Sequence, residues 1–222
     1  MFKNLEKKYE IKIITNKKPD KMSWDGINFD LIDDKDLDSL NEFYKIFQKE
    51  FCKYAPELVK KSGVKRIYLV KNMTWNNNPL PGFPDGDMNN ITYDIKLGMS
   101  NLIYKKHIIH HEFYHIIENN IFGTAFYKDP KWIEIGNKFN YGDGGIDAYG
   151  KNTDVYSLNH PYPGMINLYS TYAVEEDKAE IFSILFMPEE LEITSKWCKD
   201  DNILNNKIKY MKKFIKQLNF KK

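Results

Sequence analysis

The chain has 222 residues, is 42% apolar, and carries 33 basic against 31 acidic side chains, for a net charge of +2. That is enough apolar material for a packed core, and the balance of charge gives no long-range field toward nucleic acid or an anionic membrane. Arg66 is the only arginine, which argues further against phosphate or guanine readout, and two cysteines, Cys52 and Cys198, are too few for a disulfide scaffold and read as free thiols. No run approaches the roughly 18 apolar residues of a membrane span, and the N-terminus lacks the apolar core of a signal peptide.

In chain order, Tyr9 to Thr15 (YEIKIIT) alternates and is rich in β-branched residues, which predicts a strand. The segment DKDLDSLNEFYKIFQKEFCKYA sets Leu37, Leu40, Phe43, Tyr44, Phe47 and Phe51 at three- and four-residue steps, an amphipathic helix with those side chains in the core. VKRIYLVKNMTW reads as a second strand, NNNPLPGFPDG as a loop, and NNITYDIKL as a third strand. Ser100 is placed to cap the helix that follows. From about Phe126 to Gly164 the pattern dissolves into Gly, Pro, Asp and Tyr, the mark of a functional or flexible loop. EEDKAEIFSILFM is helical by pattern, Pro188 opens a new segment, and NKIKYMKKFIKQL closes the chain as a basic helix. Its stripe of Ile208, Met211, Phe214, Ile215 and Leu218 predicts a solvated lysine face over a core face. With no repeat and no linker, a single α+β domain is expected, a sheet-bearing part over about 1–99 and a helical part over about 100–222.

The stretch HIIHHEFYHIIE, His107 to Glu118, holds four of the five histidines and contains HExxH. Positions i and i+4 share one helix face, so His111 and His115 can reach one Zn²⁺ at about 2.0 to 2.1 Å, and Glu112 can act as general base on a water there. Ile108, Ile109, Phe113, Ile116 and Ile117 would anchor the helix. His107, one turn before His111, could in principle extend a three-histidine face but on a straight helix points past a metal held by the pair, while His110 faces away from both ligands; each takes a structural, hydrogen-bonded role. A catalytic zinc needs a third protein ligand. Glu176 and Glu180 share a helix face, so one can bind metal while the other holds a histidine ligand in place. The apolar company of Ala173, Ala179, Ile181 and Phe182 argues for partial burial of those carboxylates, against a merely solvated acidic run.

HEFYH, followed some sixty residues on by Gly164, Tyr169, Glu176-Asp177 and Ala179-Glu180, resembles the bacterial zinc metallopeptidases related to anthrax lethal factor and the Pro-Pro endopeptidases, which are gluzincin-type zincins. The resemblance runs from about Gly82 to Leu185. It implies a zincin-like fold with a small mixed sheet, and peptide-bond hydrolysis by a monomer. Its implied zinc ligands are His111, His115 and Glu176, with Glu112 as general base and Glu180 supporting the ligands. Tyr169 would stabilise the oxyanion, with Tyr172 as rival for that role and Glu175 as rival ligand. Tyr114 and Lys178 depart from the smaller or more apolar residues frequent at their positions, so the pocket wall is expected to differ. NNITYDI would be the edge strand that takes an extended peptide, and an exported or cell-envelope location is favoured.

Weaker features are YGDGGIDAYG (Tyr141 to Gly150), without the ending of a nucleotide loop and read as a mobile cleft wall, and the acidic PDGDMNN and Asp143/Asp147, which lack an EF-hand pattern. Trp132, Tyr141, Tyr149, Tyr156 and Tyr162 could line subsites, though for each one plain packing is favoured over substrate contact. The rival readings are a catalytically inactive zincin-like binding module and a helical interaction protein with a chance HExxH.

Overall fold

A computed structural model describes residues 2–148 and 154–220. The chain divides into two compact units, Met1–Ala125 and Phe126–Lys222. The division falls after the HExxH helix, which packs with the sheet-bearing first unit.

In the first unit, α1 (Lys3–Tyr9) precedes β1 (Lys12–Ile14), so the strand expected from Tyr9 is shorter. Glu10 takes a left-handed φ of 57° and ends the helix, and the Tyr9 hydroxyl donates to the Phe51 and Tyr54 carbonyls at 3.0 Å. After β2 (Ile27–Asp30) comes α2 (Leu37–Phe51), which buries Leu40, Phe43, Tyr44, Phe47 and Phe51. Leu37 does not join them: at the first helical position its side chain leans back past the packed surface and is exposed. The short α3 (Pro56–Ser62), not among the expected elements, has proline at its start and Gly63 in a left-handed C-cap.

The sheet is small and mixed, as expected. β3 (Arg66–Trp75) pairs in parallel with β1 and β6 (Asn90–Asp94) through its first half, and antiparallel with β2 and β4 (Asn78–Pro79) through its second. The change of partners falls at a bulge, with Asn72 at a φ of 56°. β5 (Gly82–Asp85) pairs antiparallel with β6, giving the order β1-β3-β6-β5. Two expectations are overturned here. The presumed loop NNNPLPGFPDG contains β4 and β5, and NNITYDI is an interior strand: β5 covers its outer side, and all five residues of β6 are buried. The polar side chains of β6 serve internal bonds; Asp94 accepts from the backbone N–H of Met73, Lys96 and Leu97 at 2.7 to 2.8 Å.

α4 (Leu102–Phe122) follows, capped by Asn101 rather than Ser100, since the Asn101 carbonyl oxygen accepts from the Tyr104 N–H at 3.1 Å. Gly123 closes it in a left-handed C-cap. Lys105 is fully buried, donates to the carbonyls of Asp94 and Leu97, and has its ammonium pushed down to about 8 by desolvation. It ties the end of β6 to the start of α4.

The second unit is helical. The segment read as patternless holds α5 (Pro130–Ile135), followed by α6 (Val174–Ile184), α7 (Pro188–Trp197) and α8 (Asn202–Phe220). On α8, Ile208 and Met211 are buried and Phe214, Ile215 and Leu218 partly so. One lysine departs from the expected solvated face: Lys207 is fully buried, donating to Asp177 at 2.7 Å and to the Gly164 carbonyl at 2.8 Å. Asp177 Oδ2 also accepts from Trp132 Nε1 and the Tyr141 hydroxyl, both at 2.6 Å, so these two aromatics bind the core of the unit. Tyr149 and Gly150 lie outside the described residues, as does the Asp147 side chain. Cys52 and Cys198 are free, and among the described residues no helix is long and apolar enough to cross a membrane.

Candidate metal centre

Thirteen residues of α4, Glu118 and Lys105 among them, are buried, so its imidazoles and carboxylates are held away from bulk water. Apolar spacing sets the rotation of this helix: Ile109, Phe113, Ile116 and Ile117 are at most 1% exposed, and the Tyr93 hydroxyl of β6 donates to the Ile109 carbonyl at 2.9 Å. With that face fixed, His111 and His115 emerge together. Their Nε2 atoms lie 3.1 Å apart and the rings meet edge to face at 4.8 Å. Two bonds of about 2.0 to 2.1 Å meeting near the tetrahedral angle need roughly this separation, so the pair fits a shared Zn²⁺.

Glu112 lies against β5. A Cβ added at Gly82 would overlap Glu112 Cγ and come within 2.8 Å of its Oε1, so only glycine lets the strand pass this close to the carboxylate. Burial, and then the charge of Glu112, push the Tyr93 phenol well above its usual value, consistent with a carboxylate held close to the sheet.

His110 faces the other way, as its position predicts. Its Nδ1 lies 2.5 Å from the Tyr54 hydroxyl and its Nε2 3.1 Å from Glu50 Oε2. Burial pushes His110 down to about 4, which keeps a neutral imidazole in a bonded, structural place between α2 and α4. His107 is buried one turn before His111, ring centroids 6.3 Å apart. Tyr114, one of the departures from the related pattern, is buried and donates to Glu118 at 3.3 Å.

The second unit presents its candidate groups on α6 and on the short 3-10 turn Tyr169–Thr171 before it. Glu175 and Glu180 are buried, Glu176 partly so, and Ala173, Ala179, Ile181 and Phe182 are buried around them, as the apolar company predicted. The side chains of Tyr169 and Glu176 converge: a Cβ at Gly145 would overlap both the Tyr169 hydroxyl and Glu176 Oε1. Tyr169 packs on Tyr156 at 4.7 Å and on its rival Tyr172 at 6.0 Å. Lys178 is buried and donates to the Tyr127 carbonyl at 2.7 Å.

Asn167 escaped the sequence reading. Fully buried, it donates from Nδ2 to Glu180 Oε2, while its Oδ1 accepts from the N–H and hydroxyl of Ser170 at 2.9 Å. It links the glutamate of α6 to the turn that carries Tyr169. The signal was present as an Asn three residues before a Ser, a capping pattern. Gly82 and Gly145 were equally silent, because a glycine's closeness to a carboxylate shows only in three dimensions. Histidine nitrogens in the first unit and glutamate oxygens in the second are metal-ligand types. Asp85, in the acidic PDGDMNN, is occupied by Ser23 and Met88 donors.

An α+β chain with a small mixed sheet and a buried HExxH helix defines the class at the level of fold. No protein-family model and no curated relative matches the sequence. Among solved structures, the fold is similar to that of a Bacteroides caccae protein named "putative zinc-binding metallo-peptidase". The TM-score is 0.57 at 18% identity, over 97% of this chain and 82% of that one.

Proposed function

We propose that the protein is a zinc-dependent metalloendopeptidase, a zincin-like catalytic domain over residues 1–222 that hydrolyses peptide bonds in extended segments. The observation that carries the reading is the pair of buried Nε2 atoms of His111 and His115, 3.1 Å apart, with Glu112 between them in sequence and against β5. The fold likeness to a protein named for zinc binding and peptidase activity supports it.

In this reading His111, His115 and Glu176 hold the zinc, and Glu180 steadies the ligand set. Zinc, when bound, supplies a Lewis acid that polarises a carbonyl oxygen and brings the pKa of water toward about 7. Glu112 takes the proton of the attacking water and hands it to the leaving amine. Tyr169 donates its phenolic O–H to the oxygen on which negative charge develops. The convergence of its hydroxyl with Glu176 at Gly145 favours it over Tyr172 for this role. Among the described residues β5 pairs with β6 alone, and its other side can take a peptide by strand addition. A peptide there passes Gly82 and therefore Glu112. Kinship with lethal factor and the Pro-Pro endopeptidases, and an exported or envelope location, extend the same proposal from the paired motifs.

The test is a peptide-library digest with zinc-loaded protein, repeated with a chelator and with Glu112→Gln. Cleavage should vanish with the chelator and fall at least about a hundredfold in the variant while zinc stays bound. Unchanged cleavage by Glu112→Gln refutes the mechanism.

A further inference from the structure

The two faces of β5 differ. Gly82 turns toward Glu112, and strand alternation sends Phe83 and Asp85 to the opposite face. There Phe83 belongs to a buried cluster with Phe29, Tyr68, Val70 and Met73. The chain before β2 crosses the same face: the Ser23 N–H and hydroxyl donate to Asp85 at 3.0 and 2.6 Å. Trp24, next in sequence, sets its ring 5.6 Å from Phe83 and 5.7 Å from Trp75. Core packing would bury such a ring, yet Trp24 is 40% exposed.

A strand added to β5 alternates as β5 does. One side chain lies over Gly82, on the face of Glu112; the next residue of the added strand falls beside Phe83, about 4.5 to 5.5 Å from it between Cβ atoms. That neighbour, on the Phe83 face, meets the indole. We propose that Trp24, backed by Phe83 and Trp75, is a specificity-determining residue whose exposed ring receives a bulky apolar side chain of the substrate strand, adjacent to the residue over Gly82. The inference rests on the peptidase reading and names the substrate class: segments with an aromatic or branched aliphatic residue close to the cleaved bond. Ser23, anchored on Asp85, holds the indole in place.

The experiment uses decapeptides identical except for Phe, Leu or Ser at one scanned position. Cleavage is measured with zinc-loaded wild type, Trp24→Ala and Trp24→Phe. Binding is measured separately by fluorescence anisotropy on zinc-loaded Glu112→Gln, with and without Trp24→Ala. Wild type should prefer Phe or Leu over Ser about tenfold at one position. Trp24→Ala should erase that preference by lowering cleavage of the Phe and Leu peptides about tenfold, toward the level of the Ser peptide, and Trp24→Phe should retain most of it. A preference untouched by Trp24→Ala, or equal losses on Phe and Ser peptides, overturns the role of Trp24. Apolar binding that depends on Trp24 without any cleavage would sink the peptidase reading and leave the apolar subsite standing. Absence of both cleavage and Trp24-dependent binding defeats both.

Discussion

In the first unit, single atoms decide where a buried carboxylate can sit. Gly82 is the sharpest case, because a methyl group there collides with Glu112 at Cγ rather than at the flexible end of the side chain. If Glu112 is the general base of a zinc peptidase as proposed, Gly82→Ala should lower kcat/KM by about a hundredfold, the scale of a misplaced catalytic group, with zinc stoichiometry unchanged by elemental analysis. Asn167 plays the corresponding part in the second unit, where it holds Glu180 and the turn of Tyr169 at once. Asn167→Ala should weaken zinc binding about 10- to 100-fold in a chelator competition, if Glu180 steadies a ligand as proposed. Neither residue could be picked out beforehand. HExxH could, since its geometry is set by five consecutive residues of one helix, whereas the reach of Gly82 to Glu112 joins positions far apart in sequence.

At the scale of elements, α4 and α8 are fastened by buried polar groups that their patterns hide. Lys207 sits in a run of lysines that reads as solvated, yet it is the inward member, sharing Asp177 with Trp132 and Tyr141. Lys207→Met leaves a buried carboxylate short of its cation and should destabilise the protein by about 3 kcal/mol, read from the denaturation midpoint. Two remaining donors to Asp177 keep the loss at the lower end of the range for broken buried pairs. The strands teach the same lesson differently. β6 was legible as a strand from its alternation, but its place inside the sheet was not, because β5 hides in a Pro/Gly-rich stretch whose pairing with β6 is a tertiary event.

For the whole molecule, acid sensitivity follows from His110. Its imidazole titrates at about 4 in the folded chain against 6.5 when unfolded, so between these values the unfolded state takes up a proton that the folded state refuses. Stability is complete above about pH 6.5 and is lost as pH falls through 4, by about 3 kcal/mol in all. Glu50, whose carboxyl is held below its usual value by His110 and Lys53 against the cost of burial, adds loss at the acid end. Metal-free protein should show this slope in thermal melts, and His110→Gln should flatten it. The sequence by itself determined the long helices, the central strand and the facing pair His111 and His115, because each depends on a period of two or 3.6 residues within one element. Tertiary structure alone decided that β5 rather than β6 lies at the end of the strand order, which lysine is buried and which asparagine and glycines frame the glutamates. Those outcomes depend on partners brought together from distant parts of the chain, and no local period records them.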